Sequence, residues 1–187
     1  YENILPRGII HAEDIEKILN DRTKPLDSII AQAFSEELFN LPKGTVRHPQ
    51  LNGMQLIARE AIMTYLRRLL SIDKRMAPFR VIGHELDTRQ TILLGDDTNV
   101  GIGGRIDRLD EVGIGTPEHR LRVVDYKTGS SVVDNINDIK QLFEPPTNKI
   151  HTHGYALQTM LYADSVSRDK KLRHDYPIIA QIERDRP

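Results

Sequence analysis

The stretch "RVVDYKTGS", Arg122 to Ser130, decides how the chain is read. Val123 and Val124 have high strand propensity, and Thr128-Gly129-Ser130 breaks the run. Between them stand an acid, Asp125, and a base, Lys127, two positions apart. Side chains alternate along a strand, so Val123, Asp125 and Lys127 share one face, while Val124 and Tyr126 share the other. A carboxylate and an ammonium on the end of an apolar strand are either a salt-bridged terminus or a reactive edge. Charged pairs at strand ends are common, so the pair alone does not choose between them.

The stretch before it shifts the balance. "GIGGRIDRLDE", Gly101 to Glu111, carries Asp107 on a strand entered through Gly101, Gly103 and Gly104. Small residues there let another backbone or a ligand approach closely. Antiparallel pairing of the two strands would bring Asp107 close to Asp125. Two carboxylates held together repel unless a cation sits between them. Mg²⁺ suits such a place, because it takes oxygen ligands, keeps some waters and is held by one or two carboxylates plus a substrate phosphate. A lysine beside it can steer a water or stabilise charge on the phosphate.

Composition limits the alternatives. The chain has 187 residues, 28% charged and 39% apolar, as expected for a globular domain with a core. It has no run of apolar residues long enough to span a bilayer and no basic-flanked apolar leader. Cysteine is absent, which excludes disulfides, thiolate zinc sites and an iron–sulfur cluster in this chain and fits a cytoplasmic protein. Lys plus Arg (26) nearly cancels Asp plus Glu (27), so any polyanion site must be a local patch. Arg105, Arg108, Arg67, Arg68 and Lys127 are its candidates. The chain opens at Tyr1 and closes on "IERDRP" without a tail, so a fragment or domain of a longer protein is expected.

The first half has helical periodicity. "HAEDIEKILND" reads as a short amphipathic helix, and "KPLDSIIAQAFSEELFN" starts a second near Pro25. "LNGMQLIAREAIMTYLRRLLSID" is the strongest, with Leu51, Met54, Ile57, Ala58, Ala61, Tyr65, Leu66 and Leu69 in one apolar stripe. After Pro78 the period becomes two. "FRVIGHELD", "QTILLG", "VGIGGRIDRLDEV" and "HRLRVVDYKTG" predict successive strand segments, with "GDDTN" as a turn and "GIGTPE" as a loop. Helical pattern returns in "INDIKQLFE" and "HGYALQTMLYADSVSRD", and "YPIIAQIE" predicts a last strand. The order predicts an α/β fold, helices against a small mixed sheet. Within "QTMLY", Gln158 and Tyr162 lie at i and i+4 and so share a helical face.

"GRIDRLD", then "VVDYKTG", then "QTMLY", in that order, resembles the PD-(D/E)XK nuclease superfamily, and most of all its RecB-type exonuclease branch, with the pattern G-x-x-D, D-x-K, Q-x-x-x-Y. The likeness covers roughly residues 79–183. It implies a restriction-endonuclease-like α/β core, a small mixed sheet flanked by helices, over residues 78–187, with 1–77 as the N-terminal helical part of a single nuclease domain. It implies that Asp107 and Asp125 bind Mg²⁺ or Mn²⁺, that the Tyr126 carbonyl completes the metal shell, and that Lys127 is the catalytic lysine. Gln158 and Tyr162 match the motif that contacts DNA and supports the site. Glu85, in "VIGHELD", matches a further acid on the first strand, or is simply an exposed strand residue.

The chain departs from the branch in one respect. The usual histidine ligand on an N-terminal helix, in a G-x-x-H pattern, has no counterpart. "NGMQLIARE" carries Leu56 at that spacing, and His11, His48, His84, His151 and His153 are poorly placed. A ligand helix upstream of Tyr1 is therefore expected. The implied function is a metal-dependent deoxyribonuclease, an exonuclease in DNA repair or recombination, with DNA and a helicase domain or subunit as partners. The alternatives are a catalytically silent module that binds DNA or scaffolds a helicase, and a small-molecule phosphohydrolase that ignores polynucleotides.

Overall fold

The computed structural model of the chain describes residues 8–21, 25–45, 50–93, 95, 97–127, 136–145, 153–172 and 176–184. The chain divides into two compact units, Tyr1–Pro78 and Phe79–Pro187. No helix among the described residues is long and apolar enough to cross a membrane.

The first unit is helical. Helix α1, Ala12–Asn20, starts where Asp14 accepts the His11 N–H at 3.1 Å, which satisfies a free donor of the first turn. It buries Ile15 and Ile18. Helix α2, Pro25–Ala33, runs into a π turn, Phe34–Leu38, with Pro25 at the first helical position. Helix α3, Gly53–Met76, starts with a reciprocal cap: Asn52 accepts the Gln55 N–H, and the Gln55 side chain accepts that of Asn52.

The stripe expected along α3 is only partly buried. Leu51, Ala61, Tyr65, Leu66 and Leu69 are half-buried, Met54 and Ile57 are 75% and 66% exposed, and the residues the helix buries, Leu70 and Asp73, lie off the stripe. Length is one reason. Helix α1 has nine residues, about 14 Å, against twenty-four, about 36 Å, for α3. Its polar contacts, Glu16–Lys74 and the Leu19 carbonyl to Arg67, lie on the C-terminal half of α3.

The second unit is a four-stranded sheet in sequential order: β1 Phe79–Leu93, β2 Asn99–Val112, β3 Arg120–Lys127 and β4 Ile178–Arg184. β1, β2 and β3 pair antiparallel, and β4 joins β3 in parallel. A parallel neighbour requires a crossover, and here it carries a short 3₁₀ turn, Ile139–Phe143, and helix α4, Gly154–Arg168. The two segments expected in 79–95 are one strand, because no Gly or Pro interrupts the pairing of Thr88 and Arg89 with Gly104 and Gly103. "INDIKQLFE" forms only that five-residue 3₁₀ turn, with Asp138 accepting the Lys140 N–H at 2.9 Å. The loop after β2 turns at Gly113, whose φ of +65° is left-handed and where a Cβ would lie 2.6 Å from the Glu118 carbonyl oxygen. The "TGS" break after Lys127 lies outside the described residues.

The core cluster includes Leu109 and Ile106 of β2, Leu121 and Val123 of β3, and Tyr162 and Val166 of α4. Burying each such aliphatic side chain stabilises by about 1.5–3 kcal/mol. Helix α4 also buries Ala156 and Thr159, at the three- and four-residue spacing of one helical face. Gln90 of β1 donates to Asp164 at 3.0 Å and ties the helix to the sheet.

The other face of β2 and β3 holds an ionic network. Asp110 is fully buried and accepts from Arg108 through both oxygens at 2.7 Å, and from Arg122 directly across the strand pair. The guanidinium groups of Arg108 and Arg122 lie 5.2 and 5.6 Å from the centroid of the Phe79 ring. Arg108, expected in a phosphate-binding patch, is therefore 7% exposed and committed to a carboxylate. Removing the shared acid leaves two buried cations facing each other. Asp110→Ala is expected to destabilise the fold by about 3–5 kcal/mol, measured as the loss in urea unfolding free energy, while Asp110→Asn, which retains hydrogen-bond acceptance, loses less.

Candidate active site

The β2–β3 register brings the acids together. Arg108 pairs with Val124, so Asp107 and Asp125 are the next residues facing each other across the strands. Asp107 accepts the Tyr126 N–H at 2.7 Å, which holds its carboxylate against β3. Asp125 is 1% exposed. Burial pushes its pKa up, the Lys127 ammonium draws it down, and the charge of Asp107 raises it again. Lys127 lies 2.7 Å from Asp125 Oδ2, yet that buried oxygen makes no hydrogen bond. The contact is ionic without an aligned N–H.

Helix α4 supplies the rest. Lys127 donates to Gln158 Oε1 at 2.9 Å, and Gln158 donates from Nε2 to the Tyr162 hydroxyl at 2.8 Å. The result is a polar chain from Asp125 through Lys127 and Gln158 to Tyr162. Tyr155, one turn before Gln158, places its ring centroid 4.9 Å from the Lys127 ammonium. Sequence reasoning missed Tyr155, although its i−3 spacing from Gln158 was a usable signal.

Gly104 makes the space for this arrangement. A Cβ there would lie 2.7 Å from Tyr162 Cε1 and 2.8 Å from its hydroxyl oxygen. The glycine of "GRID" and the tyrosine of "QTMLY" are thus two halves of one contact. Tyr126 contributes its N–H to Asp107 and its hydroxyl, which accepts from Arg108 at 3.0 Å. Glu85 lies between His84 and Leu86, which pair with Arg108 and Ile106, so its backbone is opposite Asp107; its side chain is 60% exposed and 3.5 Å from Arg105, and its φ is +50°. Arg105 is also paired with Asp87 at 3.2 Å. His48 and His151 lie outside the described residues. Among the described residues no cluster of three or more His, Cys, Asp or Glu could hold a metal ion.

A family model described as the PD-(D/E)XK nuclease superfamily matches residues 10–182. The chain belongs to the PD-(D/E)XK nuclease superfamily. Members of this superfamily are typically nucleases and generally use divalent metal ions. No curated protein matches the chain. In this PD-(D/E)XK chain the four-stranded mixed sheet carries both acids and the lysine on β2 and β3, and α4 carries the glutamine and tyrosine.

The residues fit a hard cation. Asp107 and Asp125 offer only oxygen donors, and one buried oxygen of Asp125 lacks a hydrogen bond. The Lys127 ammonium offsets part of the cost of burying that oxygen, and a divalent ion would add a second partner.

Gly104→Ala puts a methyl group into the Tyr162 ring, so the ring must move or the strand must shift. Overpacking of this kind costs about 1–3 kcal/mol. Most of that cost is expected to vanish in a Tyr162→Ala background, and a thermodynamic double-mutant cycle measures the coupling. Purely additive losses would show that the contact is not the reason for the glycine.

Proposed function

We propose that this chain is a divalent-metal-dependent deoxyribonuclease, an exonuclease of the RecB type that acts beside a helicase in DNA repair or recombination. The observation that carries the reading is the joining of Asp107, Asp125, Lys127 and Gln158 at one end of two antiparallel strands, inside a fold whose family members typically cut nucleic acid.

Asp107 and Asp125 would hold Mg²⁺ or Mn²⁺, with the carbonyl of Tyr126, the residue between acid and lysine, completing the shell. When bound, the ion supplies positive charge for the scissile phosphate and lowers the pKa of a water. The protein's own groups do the positioning. Asp107 is oriented by the Tyr126 N–H. Lys127 is held by Gln158, and Gln158 in turn by Tyr162, so the ammonium is aimed before substrate arrives. An ammonium in that place steers the attacking water and stabilises the charge that builds on the phosphate in the transition state. In-line hydrolysis would leave a 5′-phosphate and a 3′-hydroxyl.

Two measurements separate binding from chemistry. Mn²⁺ is expected to raise the thermal midpoint of the chain, and Asp107→Ala and Asp125→Asn to abolish that rise. Lys127→Ala is expected to keep the rise yet lower cleavage of end-labelled DNA by roughly 10²–10³-fold, the scale of losing one transition-state charge contact. Undiminished cleavage by the Lys127→Ala protein would remove the lysine from the mechanism.

A further inference from the structure

We propose that a cavity between β2 and α4, beside the acidic pair, is a pocket for one unpaired nucleobase of the strand being cut. The cavity has a volume of about 230 Å³ and is lined by Ile102 and Gly103 of β2 and by Leu157, Gln158, Leu161 and Tyr162 of α4. Gln158 and Tyr162 also belong to the polar chain that leads through Lys127 to Asp125. The cavity is therefore linked to Asp125 through Gln158 and Lys127. The proposal rests on the nuclease reading above and names a part of the substrate that reading leaves open.

Size argues for a single heterocycle. A dry cavity of about 150 Å³ accepts one benzene ring. Pockets for drug-sized ligands start at roughly 300 Å³. A volume of 230 Å³ lies between, room for a base of one or two rings and too little for a dinucleotide. The lining has matching chemistry. Ile102, Leu157 and Leu161 give apolar surface for the faces of a ring. Bases taken out of the stack are gripped between apolar or aromatic side chains and read at their edges. Gln158 supplies an edge partner. Its amide spends one N–H on Tyr162 and one lone pair on Lys127, and an amide has two of each.

A base in a duplex has both faces stacked and its Watson–Crick edge paired, so an occupant held between apolar side chains must be unpaired. Because the same glutamine borders the pocket and orients the lysine, filling the pocket places the neighbouring phosphate at the acids. The pocket would act as a gauge that registers one nucleotide against the cleavage site, with little preference among bases, because apolar stacking is tolerant of sequence.

The test is an abasic walk. Single-stranded oligonucleotides carrying one abasic residue at successive positions around a defined cut are digested with Mn²⁺. With the wild-type chain, kcat/KM is expected to fall roughly fivefold to a hundredfold when the gap adjoins the scissile bond, the scale of losing one stacked base, and to be unchanged two or more nucleotides away. Leu161→Phe, which fills the cavity, is expected to cut intact and abasic strands equally, at the wild-type abasic rate. Ile102→Phe fills it from the opposite wall and serves if the first variant does not fold, as judged by circular dichroism. Cleavage at the same rate wherever the gap is placed would overturn the pocket and leave the nuclease reading standing. No cleavage of any strand, by this chain or by a longer form reaching upstream of Tyr1, would overturn the nuclease reading and the pocket with it.

Discussion

Asp107 and Asp125 face each other across β2 and β3, where burial raises the Asp125 pKa and the charge of Asp107 adds to it. Strand register and core packing in the second unit bring this pair together. Antiparallel pairing over Arg108–Val112 sets the register that makes the two acids meet. Core side chains on the same faces, Leu109 and Val123, are buried completely and so hold that register, because a slip by one residue would turn every side chain over. Lys127 meets the repulsion only in part: it lies against Asp125, but one oxygen of that acid makes no hydrogen bond.

A second buried acid on β2 shows the contrast. Asp110 sits between Arg108 and Arg122, with both oxygens bonded. One carboxylate between two guanidinium groups is saturated and has nothing left to offer a ligand. Two carboxylates beside one ammonium are short of positive charge and attract a cation. The same residue types on the same strands therefore make a structural network on one face and a candidate reaction centre on the other. The ratio of charges decides between them, not burial, since Asp110 and Asp125 are both essentially inaccessible.

Helix α4 couples the centre to its scaffold. One face of it reaches Lys127 through Tyr155 and Gln158, and Tyr162 presses on the bare backbone of Gly104. Short motifs far apart in the chain become one packed object. A change at the glycine is felt at the glutamine and from there at the lysine, because each link is a direct contact. Gln90, bonded to Asp164, fixes the helix against β1 and limits its sliding.

The sequence by itself determined whatever follows from local backbone periodicity. Alternation along "RVVDYK" puts Asp125 and Lys127 on one face, and the helical repeat puts Gln158 and Tyr162 on another. These relations hold wherever such a strand and helix form, which is why the sheet, α4 and the order of the motifs were legible. Tertiary structure decided which charges meet. Glu85 and Arg108 look equally available in the sequence, yet Glu85 pairs with Arg105 near solvent and Arg108 is buried on Asp110. It also decided that Tyr155 stands beside the lysine, and that Met54, Ile57 and Ala58 of the α3 stripe stay exposed. The physical reason is range. A side chain's direction is fixed by its own backbone, while its partner is fixed by strand register and by which element lies over it, and both depend on residues far away in the chain.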